Sequence, residues 1–266
     1  KFFFICNREH LESKQYQMRE ILNKICPSGK IISIDPHNLG PVFAVHQSLK
    51  HLNTEEPTIV NYCDFNCSWD YEDFKKMLMK TKCDGALPCY KGFHPHTIWS
   101  NYYAYVREKN LVALDIQEKK PFTKNPREEY ASGGTYYFKN GNLMIKYFKQ
   151  CMKEKLLVNG EYYVSMVYKP MIKVGLNIQV YIIKQYMQWG TPEDLEDYKY
   201  WSKNFNLILK KQRHPFHEGS VMIPMAGKGK RFKNEGFITP KPLISISGKP
   251  MVIQALMDLP TAENNR

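Results

Sequence analysis

Ile223-Pro224-Met225-Ala226-Gly227-Lys228-Gly229-Lys230-Arg231-Phe232, followed by Thr239-Pro240-Lys241-Pro242-Leu243, is the stretch on which the reading of this sequence turns. An apolar run, Val221 to Met225, reads as a strand and enters two glycines spaced by one residue. Glycine lacks a Cβ, so the backbone can approach a ligand closely and turn successive amides toward an anion. Arg231 and, ten residues on, Lys241 then stand ready to neutralise phosphate oxygens. A lone G-x-G is weak. Strand, G-x-G-x-R and Pro-Lys-Pro in that order favour a phosphate loop over an ordinary basic loop ahead of a helix.

Charge agrees with that reading. Of 266 residues, 38 are Lys or Arg and 26 are Asp or Glu, giving a formal charge of +12. An anionic partner is therefore the default expectation. Between Lys203 and Lys249 there are ten basic residues and two acids, gathered around the glycines. A nucleic-acid binder spreads its cations along a helix or stripe with interleaved aromatics, so this clustering favours phosphate-bearing small molecules over nucleic acid. The chain is 43% hydrophobic and 24% charged, with a mean hydropathy of −0.51, which excludes disorder and a membrane-embedded class. No apolar run approaches the ~18 residues of a spanning helix, and Phe2–Cys6 is too short for a signal-peptide core. Seven cysteines, none in a C-x-x-C pair, suggest neither a disulfide framework nor a zinc site and imply a reducing, cytoplasmic home.

Ahead of the glycine loop the sequence alternates strand-like and helix-like segments. Lys1–Cys6, Ile31–Asp35, Thr58–Asp64 and Gly85–Tyr90 read as strands; Leu11–Cys26, Pro41–Leu52 and Tyr71–Lys80 read as the helices between them. That rhythm predicts a mostly parallel α/β sheet flanked by helices. From about residue 94 the pattern becomes antiparallel, with Tyr102–Arg107 and Leu111–Gln117 turning at Lys109-Asn110, then Gly134–Phe138. Helices at Asn142–Lys153 and Glu161–Lys173 and a strand at Ile178–Trp189 follow, so a small antiparallel lobe is expected on the sheet. Residues 204–218, rich in Lys, His and Pro, read as a linker. Beyond it come the strand Val221–Met225, an extended Pro242–Ile246 and a helix Pro250–Met257, a piece too small to stand without a partner surface.

The G-x-G-x-R and Pro-Lys elements resemble the sugar-nucleotidyltransferases, the nucleoside-diphosphate-sugar pyrophosphorylases. Lys230 stands where that family has Thr or Ser. The resemblance extends over residues 1–200. Asn38-Leu39-Gly40-Pro41-Val42 is similar to the family segment that abuts the nucleotide base, and serves nearly as well as punctuation at a helix start. Ile59-Val60-Asn61-Tyr62-Cys63-Asp64 ends a strand on an acid at the edge of the ligand crevice, where the family holds Mg²⁺; capping the next helix is the other use for Asp64. Ile116-Gln117-Glu118-Lys119-Lys120 resembles the Glu-Lys element whose lysine holds the sugar phosphate. Ala131-Ser132-Gly133-Gly134-Thr135-Tyr136-Tyr137-Phe138 resembles the strand lining the sugar pocket, and Asn159-Gly160-Glu161 carries an acid for sugar hydroxyls. One departure stands out: in Met187-Gln188-Trp189-Gly190-Thr191, Gln188 occupies the place of a second metal-binding Asp, and an amide is a poorer Mg²⁺ ligand than a carboxylate.

The resemblance implies a Rossmann-like nucleotidyltransferase fold and transfer of a nucleoside monophosphate from a triphosphate to a sugar-1-phosphate, for polysaccharide or other glycan precursors. It makes Arg231, Lys241 and Asp64 the catalytic set with Mg²⁺ on Asp64. Ala226, Gly227, Gly229, Lys230, Arg231, Gly40 and Pro41 become nucleotide contacts, and Glu118, Lys119, Gly134, Thr135 and Glu161 sugar-phosphate contacts. The implied partners are those two substrates, without nucleic acid or membrane insertion, and a homo-oligomer is compatible. Base and sugar stay open, a phosphorylated alcohol included. Two rivals remain: a glycosyltransferase of related fold, which has no need of G-x-G-x-R, and a non-catalytic nucleotide-sugar-binding domain, which Gln188 favours. His94 and His96, two apart, read as loop residues over the sugar pocket, hydrogen-bonding or on the surface, rather than as metal ligands; the aromatics Trp99, Tyr102, Tyr103 and Tyr105 suit either core packing or a sugar platform. In family order the glycine unit precedes a strand like Phe2–Cys6, so residues 1–203 read as a domain lacking its first βα unit and 219–266 as such a unit, a window on a tandem protein. The expected outcome is strand Val221–Met225 inserted between the strands at Phe2 and Thr58.

Overall fold

The opening apolar run forms strand β1 (Phe3–Asn7), which pairs in parallel with β2 (Lys30–Ile34), Phe3 opposite Lys30. The single helix expected over Leu11–Cys26 is two, α1 (Arg8–Glu12) and α2 (Met18–Ile25), because Gln17 takes a left-handed conformation that no helix interior accepts. The chain then runs through α3 (Pro41–Gln47), β3 (Thr58–Asn61), β4 (Phe65–Ser68), α4 (Tyr71–Thr81) and β5 (Gly85–Tyr90). Next come β6 (Ala104–Lys109), β7 (Val112–Glu118), β8 (Tyr130–Ser132) and β9 (Thr135–Phe138). The elements α5 (Gly141–Lys153), α6 (Val164–Lys173), β10 (Ile178–Ile182), β11 (Gln185–Gln188) and α7 (Pro192–Leu209) follow. The computed structural model describes residues 1–51, 54–98, 103–209, 222–227 and 229–256, and the chain divides into two units, Lys1–Tyr198 and Lys199–Arg266.

Seven strands form the main sheet of the first unit in the order β10-β7-β6-β8-β5-β9-β3, and β10 also pairs with β5, so the sheet curls back on itself. The α/β class holds; the mostly parallel sheet does not. Among the described residues only β1–β2 and β10–β5 are parallel, and the other ladders are antiparallel. The reason is an insertion. A helix between β3 and β5 implies that those strands run the same way, but β9 lies between them and pairs antiparallel with both. Alternation along the chain reports the direction of successive strands and is silent about a later strand that enters between them.

Local chemistry explains the boundaries. Asp70 caps α4 by accepting from the Asp73 amide at 3.0 Å, and Asn140 caps α5 by accepting from Leu143 at 2.9 Å. The β6–β7 hairpin turns through Asn110 and Leu111, both at positive φ, as a primed turn requires. Ile178–Trp189 breaks into two strands at Ile183-Lys184, and the strand expected over Thr58–Asp64 stops at Asn61 before β4 begins. Every residue of β5 is buried. Helices α5 and α6 bring Met144, Phe148, Tyr168 and Met171 onto Leu87 and Phe138, while Phe74 of α4 packs with Ala86 and Tyr137 in a separate cluster. Fully burying a side chain such as Phe148 is worth about 2–3 kcal/mol.

The second unit is slight. It holds α8 (Lys230–Asn234), a short hairpin of β12 (Ser245–Ile246) and β13 (Lys249–Pro250), and α9 (Met251–Leu256). The strand expected at Val221–Met225 is absent over residues 222–226, which join no ladder; Val221 lies outside the described residues. Helix α7 carries to Leu209, so the start of the expected 204–218 linker is helical, and 210–218 lies outside the described residues, as do Met257, Trp99 and Tyr102. No helix of the described residues is long and apolar enough to cross a membrane.

Candidate functional site

In the first unit, the loops and strand ends expected to act together converge on one rim. Gly40, at φ +81°, opens α3 ahead of Pro41, and a Cβ on it would come within 3.0 Å of the Tyr162 backbone and the Glu161 side chain. Only glycine permits that approach. The contact is locked by hydrogen bonds from Tyr162 N to Leu39 O (2.9 Å) and from Val42 N to Tyr162 O (3.1 Å). Gly134, at φ +78°, lets Phe65 come within 2.9 Å of where its Cβ would sit, and its carbonyl accepts from Tyr62 N at 3.0 Å. Next to it, Thr135 Oγ1 donates to Asn61 Oδ1. Tyr62 ties the rim together: its ring packs on Tyr136, and its hydroxyl accepts from the Val164 amide at 3.3 Å.

Glu118 and Lys119, at the end of β7, meet residues 161–165. Ser165 Oγ donates to Glu118 Oε2, and Lys119 Nζ donates to Tyr163 OH, with its ammonium 4.5 Å from the centre of that ring. Tyr163 OH donates in turn to the Glu161 carboxylate. Burial pushes the Glu118 carboxyl up to about 7; the Ser165 hydrogen bond and the Lys119 charge oppose the rise, and Glu161 adds to it. Acid, cation and phenol thus form one half-buried network suited to a ligand carrying hydroxyls and an anion. Tyr163 and Ser165 were missed as site residues from sequence. Tyr163 lies two residues beyond Glu161, but nothing in a lone sequence marks Ser165.

Asp64 stands just beyond β3, exposed, with its carbonyl accepting from Trp189 N at 2.7 Å. β11 pairs antiparallel with β4, Gln188 opposite Phe65, which brings Gln188 beside Asp64. Asp64 Oδ2 and Gln188 Nε2 both lie within 3 Å of the point a Cβ on Gly190 would occupy. Gln188 Oε1 is engaged by the Tyr186 hydroxyl at 2.6 Å, so the amide turns its NH₂ end to the acid. Below, Tyr90 stacks on Tyr186 at 4.3 Å, and His96 Nε2 lies 2.9 Å from Tyr90 OH. Burial lowers His96 to about 3, so the ring is neutral. His94 and His96 are both buried, which removes the surface alternative, while the His96 contact with Tyr90 agrees with the hydrogen-bonding one; Tyr103 and Tyr105 are core. No cluster of three or more His, Cys, Asp or Glu among the described residues could hold a metal.

In the second unit, Gly229 takes the left-handed conformation (φ 61, ψ 30) at the start of α8 and accepts from Phe232 N and Lys233 N. Lys241 Cβ lies 3.6 Å from the point a Cβ on Gly229 would take, and its ammonium sits 5.8 Å from the Phe232 ring centre. The structure therefore brings Gly229 and Lys241 together, with Lys230 and Arg231 following in α8, Gly227 in open space and Ala226 exposed.

No family model and no curated protein matches the sequence. Solved structures of similar fold are found. A nucleoside-diphosphate-sugar pyrophosphorylase from Vibrio cholerae RC9 aligns with a TM-score of 0.57 at 16% identity, over 74% of this chain and 79% of that one. A UDP-glucose pyrophosphorylase complexed with UDP-glucose gives 0.55 at 15%, over 76% and 80%. The inositol-1-phosphate CTP transferase from T. maritima gives 0.52 at 15%, over 72% and 73%. At such identities the likeness is one of fold: this chain has the α/β fold of nucleotidyltransferases, with a mixed sheet.

Proposed function

We propose that the chain is a sugar-phosphate nucleotidyltransferase, moving a nucleoside monophosphate from a triphosphate to a sugar-1-phosphate with release of pyrophosphate. The observation that carries this is the convergence of Gly40-Pro41, Asp64, Glu118-Lys119, Gly134-Thr135 and Glu161 on one rim of the first unit. The attacking phosphate oxygen is already ionised, so no general base is needed. The protein's work is to hold two polyanions in line and offset their repulsion. Lys119, directed by Tyr163, would hold the sugar phosphate, and Glu161 and Glu118 the sugar hydroxyls. Gly227, Gly229, Lys230, Arg231 and Lys241 would wrap the triphosphate, and Gly40-Pro41 would abut the base.

Asp64 would hold Mg²⁺. The donor set fits in one mode only: a single exposed carboxylate, with the neighbouring amide oxygen engaged by Tyr186, suits an ion that keeps its waters and takes substrate phosphates as further ligands. When bound, the ion supplies charge neutralisation at the phosphates. The second reading, a non-catalytic nucleotide-sugar-binding domain, is favoured by the same Gln188 amide.

The deciding experiment incubates the full chain with Mg²⁺, a panel of triphosphates and a panel of sugar phosphates and phosphorylated alcohols, and measures pyrophosphate. Release dependent on one triphosphate and one phosphate supports the enzyme. Tight ligand binding at background turnover, persisting in Gln188→Asp, would establish the binding domain instead. Transfer from a nucleotide sugar without pyrophosphate would establish the glycosyltransferase.

A further inference from the structure

Strand β2 has a second side that β1 does not use. Among the described residues β2 pairs with β1 alone. Lys30 N donates to Phe2 O at 2.8 Å, which turns the backbone groups of Lys30, Ile32 and Ile34 toward β1 and leaves the N–H and C=O of Ile31 and Ser33 pointing away from it. Alongside β2 runs a groove of about 560 Å³, within the ~300–1,000 Å³ usual for ligand sites. Residues 30–37 form one wall. The other wall is one helix face: Phe43 and Gln47 of α3, four residues apart, and then Lys50 and His51 of the 3₁₀ turn Leu49–His51 that follows. At one end the His37 and Phe43 rings meet edge-on with centroids 4.8 Å apart. At the other, burial and then the Lys30 and Lys50 charges hold the His51 imidazole below its usual value, so these three groups lie together.

We propose that this groove takes an extended acidic peptide of another protein, which adds as a strand to the open edge of β2 and rests against α3. Geometry sets the mode. A strand edge beside a helix offers main-chain hydrogen bonds on one side and contacts for alternate side chains on the other. Charge sets the partner. Arg8, Lys30 and Lys50 line the groove against one acid, Asp35, whose carboxylate already takes Arg8 at 3.0 Å. Neither Lys30 nor Lys50 has an ion-pair partner among the described residues. Ile32, Ile34 and Phe43 add apolar surface between the cations, so a peptide that alternates acidic and apolar side chains is the complement. A second copy is disfavoured, because pairing one β2 with another would bring like charges together; edge lysines guard against such pairing while attracting an acidic strand. The groove lies within the first unit. The proposal rests on that edge and its charges and is independent of the enzymatic reading.

Fluorescence anisotropy on the full chain tests it with two panels of labelled short peptides, one alternating Glu with Val, Ile, Thr or Tyr and a matched one alternating Lys. The acidic panel is expected to yield binders with Kd below about 1 mM, and the lysine panel none. In the complex, hydrogen exchange slows at the Ile31 and Ser33 amides and stays as it was over Gly85–Tyr90 of β5. Ser33→Pro removes one edge donor without touching the β1 ladder and weakens the best peptide about 5-fold or more. Lys50→Glu, outside the strand, also weakens the acidic peptides. Retained protection of β5 shows that both variants are folded. Absence of any acidic binder overturns the proposal, as does acidic binding that leaves the Ile31 and Ser33 amides unchanged or ignores both substitutions. Complete displacement of the peptide by an equal charge concentration of inorganic tripolyphosphate also overturns it, by assigning the groove to a small anion.

Discussion

The two units of this chain divide legibility and packing between them in opposite shares. The first, Lys1–Tyr198, buries Leu87, Phe138, Phe148, Tyr168 and Met171 completely or nearly so, yet its site residues are short, common pairs such as Glu118-Lys119 and Gly134-Thr135. The second, Lys199–Arg266, buries none of its described side chains, yet it carries G-x-G-x-R and Pro-Lys-Pro, the most readable chemistry in the sequence. A phosphate loop is built from backbone freedom and cations, which need no core behind them to be recognised. A pocket wall is built from side chains that three or four separate elements bring together, and its signal is spread thin. Stability and recognisability therefore answer to different residues.

That contrast is sharpest at Phe148. Its ring is fully buried, edge-on to Phe138 with centroids 5.7 Å apart. Phe148→Ala is expected to cost about 3–5 kcal/mol of unfolding free energy, from lost transfer energy and the cavity left behind. Denaturant titration reads it. A loss under about 1 kcal/mol would mean that the first unit is not organised around this core. Next in size is Asp64→Asn, which keeps the shape of an exposed side chain and removes its charge. Pyrophosphate release should fall about 10²–10³-fold with the unfolding midpoint unchanged. Retained activity would remove Asp64 from the metal role proposed for it.

Glu118 joins the two concerns, being a site residue with a stability signature. Its folded pKa, about 7, lies above the ordinary carboxylate value because burial disfavours the charge. Between about pH 4.5 and 7 the folded state keeps a proton that the unfolded state has released, so stability falls as pH rises through that window and is level on either side. Glu118→Gln, still able to accept from Ser165, should abolish this slope. The variant should be more stable than the parent by roughly 2 kcal/mol at pH 8 and nearly equal to it at pH 4. Parallel pH–stability curves for the two proteins would show that the carboxyl is solvated.

Much of the first unit could be read in advance, and the errors share a cause. The β1–β2 parallel pair, α4, the β6–β7 hairpin with its turn at Asn110, and α5 follow from local pattern and capping. The sheet's mixed character did not, because β9 enters between β3 and β5 from well downstream of both, and no local periodicity records that. For His94 and His96 the sequence left hydrogen bonding and surface exposure open, and the choice between them is a matter of tertiary contact, with the rings packed among Tyr90, Tyr103 and Tyr186. Gln188 was legible as a departure from pattern, but its proximity to Asp64 depends on the β4–β11 ladder, which splits what reads as one long strand.

The smallest expected effect tests the other side of the contrast. Ile238 is 98% exposed in the second unit, on the connection between α8 and the Pro-Lys-Pro segment. A large apolar side chain with no neighbours has nothing to lose, so Ile238→Ser should change global stability by no more than about 0.5 kcal/mol. It should also leave pyrophosphate release unaltered, since the side chain lies clear of the Gly229–Lys241 contact. A loss of 1 kcal/mol or more in denaturant titration would show that Ile238 is covered in solution. The second unit would then have a core of its own or a surface to dock on, and the division between a packed half and a readable half would fail.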